Sequence, residues 1–371
     1  MKYFFIIMIA LFTALVSYTI VRGFQALRDF PVFRTIYLVV AILLFVSIIV
    51  GTVMGSFTSI PFAKVITFIG HTALILFLYL FISFLIVDIV RIFNHFFHFA
   101  PQGMWNFRQW AFLASFVIIA IVMIAGNYKF NHPKIVNLEI TANNSVPQNK
   151  EIKIVAASDV HLGNSITKKR LQKYVDLINE QQPDIVLFAG DVCDNRLEPI
   201  IDQHMHEELR MIKAPLGVYG ILGNHEYIGR NVSEAIEYLG SGNIQILRDS
   251  VYLVNNEFYI VGRDDRTNNN RKNLDALVHN LDASKPIILL DHQPYHLEEA
   301  EESKVDLQIS GHTHDGQFFP INLIVRSMYE NAHGYSTRGN THYYVSSGLG
   351  LWGPQYRIGT QSELVVINLK Y

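Results

Sequence analysis

Five short apolar runs in the second half of this 371-residue chain each end on residues that bind metal ions well. The runs cover 152–157, 185–189, 218–222, 287–290 and 307–309. The residues just past them are Asp159 and His161, then Asp191, Asn224, His292, and finally His312 and His314. Runs of this length and composition suit buried parallel or mixed strands. In open α/β sheets ligands bind beyond the carboxyl ends of the strands, so a chain that keeps ending strands on Asp, His or Asn gathers those groups along one edge. The spacing predicts a two-metal hydrolytic site.

The first third of the chain is of another kind. The stretches 3–21, 36–54, 65–87 and 110–125 are nearly free of charge. At 1.5 Å per residue each crosses or nearly crosses a hydrocarbon core of about 30 Å. Core helices of a soluble domain would carry a charged face, which these lack, so they are expected to span a membrane. A cleaved signal peptide at the start would still leave three spans. Asp88 lies at the end of the third stretch beside Arg91, where a local ion pair suffices to explain it. The aromatic segment 93–110 reads as an interfacial belt. Arg22, Arg28, Arg34, Arg91 and Arg108 all fall in the two loops opposite the termini, against Lys2, the amino terminus, Lys64, Lys129 and Lys134 on the other side; this slight bias leans towards cytoplasmic loops and an extracytoplasmic C-terminal domain. The expected organisation is a four-helix transmembrane region (1–126), a linker with an entry strand (127–150) and a layered α/β domain (151–371) built on alternating strands and helices.

Within that last domain, Leu171, Val175 and Ile178 recur at helical spacing, as do apolar residues in 203–213 and 232–239. The stretch 251–261 reads as a strand pair turning at Asn255 and Asn256, and 263–273 is too polar to pack and reads as a loop. A net charge of −2 carries no suggestion of nucleic-acid binding, which usually needs a strongly basic surface. The single cysteine, Cys193, follows a buried strand and reads as a small packed hydrophobe rather than a nucleophile.

Hydrolysing a phosphoester requires neutralising its oxygens and making a strong nucleophile at neutral pH, which two divalent ions roughly 3.5 to 4 Å apart can do. Such a pair needs a shared carboxylate flanked by mixed nitrogen and oxygen donors. Asp191 is placed to be that bridge. Asp159 and His161 can point the same way from a strand end, and His312 and His314 repeat the device.

These motifs, Ser158-Asp159-Val160-His161, Gly190-Asp191, Gly223-Asn224-His225-Glu226, His292 and Gly311-His312-Thr313-His314, resemble those of the calcineurin-like metallophosphoesterases, and they occur in that family's order. The resemblance runs from about Lys153 to the C-terminus and implies a layered αββα domain. With the spans, the chain further resembles bacterial membrane metallophosphoesterases, a group that includes hydrolases acting on UDP-diacylglucosamine, which implies a bacterial cell-membrane location. By this resemblance Asp159, His161 and His314 hold one divalent ion, Asn224, His292 and His312 the other, and Asp191 both. Mn, Fe and Zn all accept such donors. His225 is then the general acid that protonates the leaving oxygen. Asp194 and Glu226 are placed to accept the outer N–H of a ligand imidazole. Where relatives often carry Gly after the last motif histidine, this chain has Asp315, an extra carboxylate that would alter ion preference or repel anions.

Two stretches are candidates for substrate binding. The backbone of Gly348 and Gly350 can approach an anion closely, and Arg357 offers a bidentate phosphate contact. The run Phe318, Phe319, Ile321, Leu323 and Ile324, followed by Arg326, would form a mouth for a lipid tail if exposed and an ordinary core segment if buried. The expected activity is hydrolysis of a phosphoester or pyrophosphate bond in a membrane lipid, with the bilayer itself as partner. A phosphatase for soluble nucleotides or phosphoproteins is the alternative, and a non-catalytic metal sensor a third reading, against which stands a complete ligand set.

Overall fold

The computed structural model describes residues 2–54, 61–99, 104–143 and 149–371. Parts of the aromatic segment 93–110 and of the stretch 127–150 lie outside the described residues. The chain divides into two compact units, Met1–Ala125 and Gly126–Tyr371.

The first unit holds α1 (Lys2–Ala26), α2 (Pro31–Met54), α3 (Pro61–Phe97) and most of α4 (Met104–Asn131). Among the described residues these four helices are long and apolar enough to cross a membrane. Proline opens α2 and α3, where its fixed φ suits a helix start and its missing N–H would have no intrahelical partner anyway. Val16, Ala41, Ile48, Ala73 and Phe77 pack into a small core, while Leu43, Ile118 and Ile121 face outward. Asp88 accepts from Arg22 at 2.6 Å, Arg91 at 3.0 Å and the Tyr18 hydroxyl at 2.7 Å, so the pair expected with Arg91 is part of a larger polar knot.

The second unit begins with the last turns of α4. The stretch expected to be a linker with an entry strand carries β1 (Lys134–Thr141), a full member of a sheet. After it come β2 (Glu151–Ala157), α5 (Lys168–Glu180), β3 (Ile185–Ala189), α6 (Glu198–Asp202), α7 (His206–Leu209), β4 (Val218–Ile221), α8 (Asn224–Ile228), α9 (Val232–Ser241) and β5 (Gln245–Ile246). The second half contains β6 (Ser250–Val254), β7 (Phe258–Gly262), α10 (Leu274–Val278), β8 (Ile287–Leu290), α11 (Glu298–Glu302) and β9 (Leu307–Ser310). It closes with α12 (Ile321–Met328), β10 (Gly334–Arg338), β11 (Thr341–Val345) and β12 (Glu363–Lys370).

Among the described residues the strands form two six-stranded sheets, ordered β1-β12-β2-β3-β4-β5 and β10-β11-β9-β8-β7-β6. Three apolar clusters define the layers. Leu171, Val175 and Ile178 of α5 pack with Val155 and Val186 on the outer face of the first sheet. Ile154, Leu187, Ile260 and Ile288 join the inner faces of the two sheets. Val261 and Leu289 meet Leu274 and Ala300 of the helices outside the second sheet. This is the αββα sandwich. The β2-β3-β4 and β7-β8-β9 sets are each parallel, so their carboxyl ends form the edge that carries the candidate ligands.

Of two local expectations, one is met and one is not. Asn255 and Asn256 do turn the β6-β7 hairpin with positive φ, as a type I′ turn requires. The stretch 263–273, however, is not merely a surface loop, because Arg263, Asp264 and Asp265 are buried. Burial is tolerable because the charges are paired: Arg263 donates to Asp291 at 3.1 Å and Glu299 at 2.6 Å, Arg248 donates to Asp264 at 2.7 Å, and Asp265 accepts from Thr267 and Gln293.

Candidate metal centre

The strand ends bring six of the predicted donors into three overlapping clusters: Asp159 with His161 and His314, His161 with Asp191 and His225, and Asp191 with His292 and His312. Asn224, the seventh, joins through its side-chain oxygen, 2.7 Å from His312 Nδ1. Asp191 belongs to two of the clusters, as the shared position requires.

The backbone is strained to achieve this. Asp159, His161, Asp191, His312 and His314 all have φ between 51° and 70°. A non-glycine residue in the left-handed region costs on the order of 1 kcal/mol, and such residues persist where the surroundings over-determine them. Here the surroundings are the sheets, whose ladders continue past the strand ends: Asp159 N–H donates to Gly190 O, His161 N–H to Asp191 O and Leu162 N–H to Val192 O. Glycines permit the close approach of neighbouring strand ends. A Cβ at Gly223 would collide with the Asp191 carboxylate, and one at Gly311 with that of Asp159.

The electrostatics call for a cation. Asp159 and Asp191 are buried to 0% and 1% exposure, and buried carboxylates require compensating charge. His161 Nε2 and His314 Nε2 face each other at 3.1 Å. His292 Nε2 lies 3.1 Å from Asp191 Oδ2 yet lacks hydrogen-bond geometry to any partner among the described residues. Burial pushes His161 down to about 4, and burial also lowers His312 and His314, so these imidazoles are neutral and have lone pairs to give. At Asp191 burial opposes ionisation, but His292 and the other nearby histidines outweigh it and hold the carboxyl well below its usual range. Burial likewise opposes a charge on His292, and Asp191 outweighs it in the raising direction. The site therefore favours positive charge between these two side chains, and the mixed oxygen and nitrogen donors fit divalent transition ions.

His225 sits at the rim of this cluster. Its backbone N–H donates to Asp191 Oδ1 at 2.9 Å and its Nδ1 lies 2.9 Å from Asp194 Oδ1. A carboxylate only accepts, so Nδ1 carries the proton and Nε2 is the second ring nitrogen. Burial lowers the pKa of His225, but the Asp194 hydrogen bond and the charges of Asp191 and Asp194 raise it above the ordinary value overall. Asp194 thus holds His225 rather than a ligand imidazole. Glu226 holds no imidazole at all, since its two oxygens accept the backbone N–H groups of Cys193 and Gly223, both at 2.8 Å. The outer nitrogen of His292 is instead taken by the Ala189 carbonyl, 2.7 Å away.

The expected phosphate contacts are overturned. Arg357 is fully buried and donates to the carbonyls of His314, Ser347, Gly348 and Gly350 and to the Ser362 hydroxyl. A guanidinium so engaged stiffens the loop behind Asp159 and has no fork left for substrate. The N–H groups of Gly348 and Gly350 are likewise spent, on Ser346 Oγ and on Asp159 O. Asp315 is no open carboxylate either. Arg326 grips it through two 2.8 Å hydrogen bonds, which neutralise the extra charge. Of the apolar run after the last motif, Phe318 is buried and Phe319, Ile321, Leu323 and Ile324 are exposed.

Sequence reasoning missed two aromatic neighbours. Trp352 is half exposed with its ring 6.1 Å from that of His225, and Tyr329 lies 6.4 Å from His312 and shares a hydroxyl contact with Tyr295. Neither sits in a metal motif, so only their place in space marks them.

The calcineurin-like phosphoesterase family matches residues 152–316 of this chain. An uncharacterized metallophosphoesterase of Campylobacter jejuni is 32% identical over 267 residues, covering 70% of each chain. One from Aquifex aeolicus is 33% identical over 61% of this chain and 87% of its own length. A zebrafish transmembrane protein with a metallophosphoesterase domain is 30% identical over 71% of this chain and 63% of its own. Among solved structures, a dimetal phosphatase from zebrafish is 12% identical with a TM-score of 0.37, over 55% of this chain and 88% of that one.

Proposed function

The chain belongs to the calcineurin-like phosphoesterases and is a membrane-bound, metal-dependent phosphoesterase; we propose that its substrate is a phosphoester or pyrophosphate of a membrane lipid, of the UDP-diacylglucosamine kind or a phospholipid. The observation that carries this reading is the union in one chain of a complete donor cluster and four apolar helices long enough to span a bilayer. Tethering the site to a bilayer raises the effective concentration of lipid substrates. The same reading puts the catalytic unit on the extracytoplasmic side, supported by the arginines of the two opposite loops against Lys2, Lys64, Lys129 and Lys134 on its own side.

Asp159, His161 and His314 would hold one divalent ion, Asn224, His292 and His312 a second, with Asp191 serving both. Such ions supply Lewis-acid neutralisation of the phosphoryl oxygens and lower the pKa of water. The protein supplies the rest. Neutral His161, His312 and His314 present lone pairs without first having to lose a proton. Asp194 fixes the tautomer of His225 and keeps its imidazole protonated to higher pH, so that Nε2 delivers a proton to the leaving oxygen. Arg357 clamps the carbonyls behind Asp159 and His314, holding both donors in place.

The test is metal analysis of the purified full chain together with a panel of vesicle-borne phospholipids and lipid pyrophosphates, nucleotides and phosphopeptides. Two bound transition ions and kcat/KM highest on a lipid are expected. A preference for soluble nucleotides or phosphopeptides would overturn the lipid assignment, and a metal-loaded but inert protein would favour a sensor.

A further inference from the structure

Helix α12 is packed the wrong way round for a soluble domain. Its buried residue is Asn322, and Arg326 is held by Asp315, while Ile321, Leu323, Ile324 and Met328 are turned outward. Ile324 is 59% exposed and Met328 64%, and Phe319, one turn earlier, is 48% exposed. An outward apolar face of this kind marks an interaction surface.

What lies opposite is set by chain connectivity inside the second unit. The segment 355–361 is clamped on one side to the end of α4. Arg357 N–H donates to Gly126 O at 2.9 Å, Asn127 Nδ2 to Gln355 O at 2.9 Å, and Gln361 Nε2 to the carbonyls of Lys129 and His132. On its other side the same segment pairs with the approach to α12: Phe318 bridges Ile358, and Phe319 N–H donates to Ile358 O at 2.7 Å. Phe319, two residues before α12 begins, is thus two backbone spacings, about 10 Å, from Gly126. Gly126 directly follows an apolar, outward-facing helix run that includes Leu113, Val117, Ile118, Ile121 and Ile124. Tyr128 and Lys129, both exposed, come next and are the residue types that mark the headgroup level.

We propose that α12 is an interfacial helix that inserts Leu323, Ile324 and Met328 into the bilayer surface beside the exit of α4. A lipid surface is the committed partner, because a helix run suited to hydrocarbon ends within this distance of it. Through Arg326 and Asp315 the helix is fastened to the residue after His314, so docking sets the donor cluster at headgroup height. The docking stands independently of substrate; its use in catalysis rests on the lipid reading above.

The full chain is reconstituted in phosphatidylcholine vesicles with or without acyl-brominated lipid, carrying Ile324→Cys labelled with an environment-sensitive fluorophore. Cys193 is buried, so label goes to the introduced thiol. Glu180→Cys, exposed at the end of α5, is the control. Insertion predicts a blue shift and roughly twofold quenching at position 324 and neither at 180. Equal, unquenched emission at both positions overturns the docking. Separately, Leu323→Ser with Ile324→Ser is expected to raise KM for a vesicle-borne substrate by roughly tenfold while leaving hydrolysis of a soluble aryl phosphate unchanged, which also reports a folded protein. An equal effect on both substrates removes the catalytic use of the helix. Quenching at 324 with no hydrolysis of any vesicle lipid would sink the substrate assignment and leave the docking intact.

Discussion

Replacing Asp194 by Asn isolates the proton-delivering role of His225 from metal binding. The carboxamide keeps the shape and an acceptor oxygen 2.9 Å from Nδ1, so the ring orientation and the Asn195 N–H contact at 2.8 Å survive. What is lost is charge. A hydrogen bond to a charged group contributes about 1.5–3 kcal/mol and a neutral one about 0.5–1.5, a difference of roughly 1 kcal/mol, which the one-third exposure of Asp194 discounts further. The pKa of His225 therefore falls, and about 1 kcal/mol, at 1.36 kcal/mol per tenfold, bounds the change in its protonation equilibrium at about fivefold. Its protonated form is the working acid, so a lower pKa depletes it first on the alkaline side. The expected result is a loss of kcat of up to about fivefold on the alkaline side, little loss near pH 6, and a basic limb moved to lower pH. An aryl phosphate with a good leaving group needs little protonation and should show a smaller loss than an alkyl ester. Steady-state profiles with both esters, alongside metal analysis, provide the readout. Equal losses on the two esters at every pH, or a fall in bound metal, would refute the assignment of Asp194 and His225 as a proton-delivering pair.

Further outcomes follow from the same geometry. His225→Ala is expected to keep both ions by elemental analysis while lowering turnover by about 10² to 10⁴ on alkyl esters, whereas Asp191→Asn should lose metal as well. Arg357→Ala strands several buried carbonyls and should cost about 3 kcal/mol or more of stability and reduce metal content; Arg357→Lys should not rescue it, because the planar fork is what spans the loop. A raised KM with unchanged melting in Arg357→Ala would instead restore the phosphate contact. At His333 burial lowers the pKa, but Glu363, 3.1 Å away, raises it overall above the ordinary value. Glu363 is opposed by burial and lowered overall, chiefly by His333. The histidine's contribution is full below about pH 6.5 and is lost as pH rises through its raised folded value; that of the glutamate is present above about pH 4.5 and lost below. His333→Ala should therefore lower the detergent-solubilised melting point by about 2–4 °C at pH 6 and by less at pH 9.

The sequence by itself determined the donor set, the strand ends that carry it and the four spans, because these are written in local patterns: apolar runs of strand length ending on Asp, His or Asn, and runs of helix length without charge. The surface-helix residues Leu171, Val175 and Ile178 and the Asn255-Asn256 turn were legible for the same reason. Contacts between distant segments were not. Arg357 looked like an anion binder because periodicity cannot say whether a guanidinium meets solvent or four carbonyls from 314 to 350. Glu226 looked like a partner for imidazole until β3 and β4 set it under two backbone N–H groups. The charge of Asp315 is cancelled by Arg326, eleven residues on. The positive φ of five candidate ligand residues belongs to the same class: Asp and His tolerate it better than most residues, but nothing local in the sequence requires it. Only the pairing of two sheets makes strain at Asp159, His161, Asp191, His312 and His314 tolerable, by anchoring the backbone on either side while the side chains converge where a cation offsets their cost.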